Sequence, residues 1–188
     1  PIAPADTLEL WVNDIRLADV VDEMGLAGQF AATVVASDFG DVRLNFSRRD
    51  PHFRQLAEQP EYLTDNAVDV AAAFRLEKLL PRSLGLSIPV TLNYTSIASD
   101  PLFLSQSDVQ ADAVDGLRAP RSSAASYTIS VRRTVPLEGH FLAPLLNNLV
   151  LNSSYTSASA RSEFQEGGAR NFMLGGEFNV TRALLPKL

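Results

Sequence analysis

The run Ser83–Thr95, SLGLSIPVTLNYT, constrains this chain more than any other. Leu84, Leu86, Ile88, Val90, Leu92 and Tyr94 alternate with Ser83, Gly85, Ser87, Pro89, Thr91, Asn93 and Thr95. Successive side chains of a strand point to opposite faces, so the spacing predicts a strand with one apolar and one wet face. Its length suits a tilted bilayer-crossing strand, about 9–11 residues plus ends. The small, hydroxylated face fits a water-filled lumen better than a second packed sheet. The expectation is an outer-membrane β-barrel strand with others like it on both sides.

The same period recurs along the chain. Phe30, Ala32, Val34 and Ala36 alternate with Gln29, Ala31, Thr33 and Ser37, and Val35 interrupts the wet face. Asp38-Phe39-Gly40-Asp41 supplies turn chemistry, and Val42, Leu44 and Phe46 return against Arg43, Asn45 and Ser47. A mid-strand arginine is costly toward lipid and easily placed in a lumen. Val68, Val70, Ala72, Phe74 and Leu76 oppose Asp69, Ala71, Ala73, Arg75 and Glu77; Tyr127, Ile129 and Val131 oppose Thr128, Ser130 and Arg132. Leu149, Leu151 and Tyr155 share a face, as do Phe172, Leu174, Gly176, Phe178 and Val180, the latter opposite Asn171, Met173, Gly175, Glu177, Asn179 and Thr181. Between these strands lie a polar loop at 48–66 with one helical turn, and a Ser/Asp/Ala-rich loop at 96–125 with a short helix near Val109–Leu117. Further connections fall at 135–148 and 161–169.

The connections then alternate short and long up to 125, as periplasmic turns and extracellular loops do in a barrel. Leu79-Leu80-Pro81, Leu142-Ala143-Pro144-Leu145 and Leu184-Leu185-Pro186 recur at the short-turn end. Phe46, Tyr94, Tyr127, Tyr155 and Phe172 are expected beside the long loops, where an interfacial aromatic girdle belongs. At the other extreme, Leu8, Leu10 and Val12 alternate with Glu9, Trp11 and Asn13 and run into acids. Residues 1–23 read as the end strand and connector of a neighbouring soluble β domain, and 24–188 as a transmembrane β-barrel segment. Pro1 replaces an initiator Met and a signal sequence, which suggests an excerpt of a longer polypeptide.

Composition removes several function classes. No apolar run approaches the ~18 residues of a membrane helix, which leaves a barrel open. Residues 1–70 hold 13 acids against 5 bases and the remainder 9 against 11, with no basic stripe for nucleic acid. There is no cysteine, hence no disulfide or thiolate metal site. His52 and His140 fall in connections at opposite ends of the strands and cannot share a site. Asp38-Phe39-Gly40 lacks the Gly-rich loop and strand lysine of a kinase and reads as a turn. Asn45-Phe46-Ser47, Asn93-Tyr94-Thr95, Asn152-Ser153-Ser154 and Asn179-Val180-Thr181 match the glycosylation sequon only because polar residues alternate. Asp100, Asp108, Asp112 and Asp115 lack the spacing of a calcium loop and read as a solvated segment. No enzyme, cofactor or metal site is expected.

Leu8–Ala18 followed by Gly25–Asp41 (LELWVNDIRLA, GLAGQFAATVVASDFGDV) resembles a segment of the SprA/Sov family, the gliding-motility and type IX secretion translocons of Bacteroidetes-like bacteria. Asn13-Asp14-Ile15-Arg16-Leu17 and Ala36-Ser37-Asp38-Phe39-Gly40 carry the match. Leu79-Leu80-Pro81 followed by Gly85-Leu86-Ser87-Ile88-Pro89-Val90 also looks like that family's turn and strand. Asp14 stands where the family has Glu, Leu26 where it has Trp, and Ser105 where a second proline is expected. The resemblance implies a giant single-chain barrel that conducts folded cargo proteins, with plug or shuttle proteins as partners. This chain would supply one connecting strand and roughly seven wall strands.

The expected fold is therefore all-β, an antiparallel meander of amphipathic hairpins forming an open segment of a large barrel wall in the bacterial outer membrane. Arg43, Asn45, Asp69, Arg75, Thr91, Asn93, Arg132, Glu177 and Asn179 would face the lumen. Leu84, Leu86, Ile88, Val90, Leu92 and Tyr94 would face outer-membrane lipid. The alternatives are another large barrel, such as a porin or lipid exporter, and a soluble adhesive β-sandwich with a dry core between two sheets.

Overall fold

The computed structural model describes residues 24–58, 61–104, 109–114 and 117–179. The end strand expected within 1–23 and the Leu184-Leu185-Pro186 element lie outside the described residues. The rest is one antiparallel meander. Its strands are β1 (Ala27–Ala36), β2 (Gly40–Arg49), β3 (Leu63–Arg75), β4 (Leu86–Ser87), β5 (Pro89–Pro101), β6 (Arg121–Arg133), β7 (Leu149–Arg161) and β8 (Glu166–Phe178). They pair in the order β1-β2-β3-β5-β6-β7-β8, with the two-residue β4 also on β6. Leu86↔Arg133 and Val90↔Ile129 keep one register, so β4 and β5 are a single line of chain broken at Ile88.

That break has a local cause. The Ile88 N–H donates to the Glu77 carboxylate at 2.8 Å, and its carbonyl accepts from Leu76 N–H at 3.0 Å. Both peptide groups are thus taken by the 3-10 turn Leu76–Leu79 instead of the neighbouring strand. The expected strand start at Ser83 is also corrected. Arg82–Leu84 is a second 3-10 turn closed by Gly85 at φ 57°, so Leu84 sits off the strand. Pro89, lacking an N–H, opens β5, where a strand tolerates it best.

The strands run further than periodicity suggests. β5 continues to Pro101, β3 starts at Leu63, β6 at Arg121, and β7 and β8 meet across residues 162–165. Segments expected as loops, 96–101, 121–125, 161 and 166–169, are paired strand. Their Ser, Ala, Gly and Asp content has weak strand propensity, and cross-strand pairing decides the outcome. Among the described residues of the helix expected near Val109–Leu117 there is a 3-10 turn, Ala111–Ala113, beside an isolated bridge from Phe103 to Gln110. Turns replace the helical turn expected in 48–66 among the described residues. One α-helix, α1 (Ala143–Asn148), was not anticipated; it occupies the 134–148 connection, with Pro144 in its first turn. The short–long alternation fails here. This connection at the short-turn end is long, while residues 162–165 at the other end make a tight turn.

The meander has no interior. Among the described residues Val90, at 7% exposure, is the one buried hydrophobic side chain, whereas Phe30, Val34, Leu92, Phe172 and Leu174 all exceed a third. A folded domain of this size ordinarily hides a contiguous apolar core. The described residues form an open single-layer sheet, with most of both faces uncovered.

Candidate functional site: the two faces of the sheet

Register assigns every strand residue to a face, because directly paired residues share one. Phe30↔Phe46, Leu44↔Val70, Val70↔Tyr94, Leu92↔Tyr127, Tyr127↔Tyr155 and Tyr155↔Phe172 link the apolar rows across all seven long strands. The opposite face collects Asn45↔Asp69, Asp69↔Thr95, Arg43↔Ala71, Ala71↔Asn93, Thr91↔Thr128 and Val150↔Glu177, with Arg132 paired to Val150. Arg43, Asn45, Asp69, Arg75, Thr91, Asn93, Arg132 and Glu177 therefore lie on one face. Asn179 follows the end of β8 and donates from Nδ2 to Glu177 Oε1 at 3.3 Å. Leu86, Val90, Leu92 and Tyr94 lie together on the other face, Ile88 stands at the break between β4 and β5, and Leu84 belongs to the turn.

The polar face is knitted by its own side chains. Asn45 Nδ2 donates to Asp69 Oδ1 at 3.3 Å, Ser99 Oγ to Asp65 Oδ1 at 2.6 Å, and Arg43 lies 3.4 Å from Asp41. Toward the loop end of β5–β8 it narrows to small residues, including Ser122, Ala124, Ala158, Ala160 and Gly167, around a hollow of about 440 Å³. At the same end Arg49 is an ion-pair partner of Glu58 (2.9 Å, not aligned for a hydrogen bond) and Glu61 (3.6 Å), and stacks 5.7 Å from the Phe53 ring. The Gln55 N–H, ahead of Arg49, holds the Glu58 carboxyl below its ordinary range. The 50–58 segment is thereby folded back on the polar face.

The apolar face has a shape that sequence reading missed. Its upper margin is Phe30 and Phe46 on β1 and β2, Tyr94 one row lower on β5, and Tyr127, Tyr155 and Phe172 a further row lower on β6–β8. Its lower margin falls likewise, from Gly40 and Phe74 to Leu86, Leu149 and Phe178. Between the margins there is no charged residue, and Ser153 is the lone polar one. Charges on this face lie only at or beyond the margins: Arg48, Asp100, Arg121, Arg161, Glu166 and Arg170 above, and Arg133 level with Leu86 at the lower margin. The aromatics stand mid-strand and not beside the loops, because the strands overshoot them. Tyr127 and Tyr155 stack at 5.6 Å between ring centres.

Other candidates resolve simply. Asp38-Phe39-Gly40 is the β1–β2 turn, closed by Phe39 N–H to Ala36 O at 2.9 Å, with Asp38 ion-paired to Lys78. His52 follows β2 and His140 lies in the 134–148 connection, at opposite ends of the sheet. Among the described residues no group of three or more metal-ligating side chains converges. Asp108 and Asp115 lie outside them. No described helix is long and apolar enough to cross a membrane, which says nothing of a β-barrel. No protein-family model, curated protein or solved structure matches the chain.

Proposed function

We propose that this chain is a stretch of the wall of a protein-conducting channel in the bacterial outer membrane, with its apolar face on lipid and its polar face on the lumen. The observation that carries the reading is the oblique, charge-free band. From β2 to β8 both margins descend four residues, about 13 Å, across five strand spacings, about 24 Å. A flat slab cut across strands inclined by roughly 30° leaves such a stripe, close to the 35–45° that barrel closure demands. Along β4–β5, Leu86 to Tyr94 spans about 26 Å, comparable to the apolar belt of an outer-membrane barrel.

A soluble sandwich has no reason to strip charge from a slanted band, and its second sheet is missing among the described residues. The open edges of β1 and β8 expose peptide groups that hydrocarbon cannot satisfy, so the wall is completed by further strands. Protein conduction, type IX secretion and the plug and shuttle partners rest on the resemblance to the SprA/Sov family. A porin or lipid-exporter wall shares the geometry and differs in what passes.

The absence of cysteine makes a direct test possible. Single cysteines at Thr91, Asn93, Leu92 and Tyr94 are labelled in intact membranes with a water-soluble maleimide. The odd positions should react and the even ones resist, and a stalled secretion substrate should protect the odd ones. Equal reaction on both faces removes the membrane reading. Face-selective reaction that no stalled substrate alters leaves a barrel that conducts something else.

A further inference from the structure

We infer that the apolar face carries, just above the aromatic row of β6–β8, a seat for the phosphate of an anionic lipid headgroup, built by Arg121, Arg161 and Arg170. The inference rests on the membrane reading above and adds a ligand to it. Arg121 and Arg161 are direct cross-strand partners. Like charges so opposed, with Cβ atoms about 5 Å apart, repel unless an anion lies between them. Arg170 is on the same face of β8, four residues below Glu166 and opposite Ser157.

The acids on this face do not neutralise the three. Glu166, opposite Arg161, is engaged by Arg118 at 3.2 Å. Asp100 stands two residues beyond Ala98, the partner of Arg121, without bonding it. Among the described residues the side chains of Arg121 and Arg170 have no hydrogen-bond or ion-pair partner, and Arg161 commits its Nε–H alone, to the Ala119 carbonyl at 3.1 Å. That bond fixes the side chain and leaves its Nη groups to a ligand.

The floor between the arginines is the row Ser123–Ser159–Gly168. The two hydroxyls are bonded to each other at 2.8 Å, and Gly168 contributes no side chain. Small residues here leave room for a headgroup, and Tyr155 and Phe172 begin the apolar band immediately below, where its acyl chains would lie. A guanidinium cluster at the rim of a hydrocarbon-facing surface matches a phosphate tethered to lipid better than a free ion, because only the lipid gains from both halves.

The test uses the intact protein purified in non-ionic detergent, titrated with phosphatidylglycerol, phosphatidylcholine or inorganic phosphate and read by native mass spectrometry. Phosphatidylglycerol should bind about a hundredfold tighter than phosphatidylcholine, and each arginine removed should cost roughly fivefold of that preference. R121Q/R161Q/R170Q should abolish the preference, the corresponding triple lysine variant should keep most of it, and R43Q/R132Q on the polar face should leave it unchanged. An undiminished preference in the triple glutamine variant overturns the site while the labelling pattern of Thr91 and Leu92 still stands. Inorganic phosphate binding as tightly as the lipid also overturns it. If Leu92 and Thr91 label alike, the membrane reading and this site fall together.

Discussion

The carbonyl oxygen of Gly85 accepts both the backbone N–H of Thr134, at 2.7 Å, and its hydroxyl, at 3.1 Å. The Val135 N–H reaches the same oxygen at 3.2 Å. The two connections at the turn end are thereby stitched together, and within the 134–148 connection Asn147 bonds both peptide groups of Leu137, at 2.8 and 3.1 Å. Rigid turns matter for a sheet without a core, since pairing register is otherwise held only by the strands themselves.

Gly85 therefore has little room to change. It sits at φ 57°, and a Cβ would stand 2.5 Å from Val135 Cβ. Gly139, at φ 77°, has nothing within 4 Å of a Cβ. Gly139→Ala should cost the left-handed penalty alone, about 1–2 kcal/mol. Gly85→Ala should cost that plus a displaced Val135 and a loosened Thr134 contact. Denaturant titration of both variants in detergent checks the order; equal losses would mean the Gly85–Thr134 stitch contributes nothing.

The two faces make a second comparison. Val90 is a poor probe of lipid because it is already 7% exposed and any arginine there disrupts packing. Leu92 is 42% exposed. In water Leu92→Arg would be nearly silent, whereas at a bilayer midplane it should cost about 2–4 kcal/mol. Thr91→Arg, on the polar face, should be tolerated in either setting. Folding titrations into lipid bilayers measure both, and a silent Leu92→Arg there contradicts lipid contact at that row.

Much of this was legible in the sequence, for a physical reason. Where one face must be greasy and the other wet, period-2 spacing is strong, and Val42–Phe46, Val68–Phe74 and Val90–Tyr94 announce their faces. Beyond the aromatic row both faces of β6–β8 are mostly Ser, Ala, Gly and Arg, so the alternation disappears although Ser123–Ser159 and Ala160–Gly167 remain paired. Strand there is imposed by neighbours and not by composition. The slant of the band was invisible because it depends on register between strands. The break at Ile88 depends on Glu77, eleven positions away.

Acid should loosen the β1–β2 turn. Lys78 hydrogen-bonds the Asp38 carboxylate and attracts it electrostatically, which holds the Asp38 carboxyl below its ordinary value of 3.8. A depressed folded value means the stabilisation is complete above the unfolded value and is lost as pH falls through the lower folded one. The stability difference between the native chain and Asp38→Asn should be flat from about pH 5 to 7 and shrink below about pH 4. Since Asp38 is solvent-exposed, the difference should also shrink in high salt. A gap that widens in acid would place the Asp38–Lys78 contact outside the folded state.

The stack of Tyr127 on Tyr155 offers a measure of how the aromatic row holds β6 to β7. The rings lie 5.6 Å apart and are inclined by 22°, an offset stack between directly paired residues. Such pairs couple by about 0.5–1.5 kcal/mol beyond their area burial. Tyr127→Leu and Tyr155→Leu should therefore fall short of additivity by that amount in a double-mutant cycle. Tyr94→Leu with Tyr155→Leu, on strands that are not neighbours, should add simply. If the Tyr127–Tyr155 cycle is also additive, the row acts through contact with its surroundings and the two strands are joined by backbone pairing alone. Coupling that survives transfer from lipid to detergent would assign the effect to the ring pair itself.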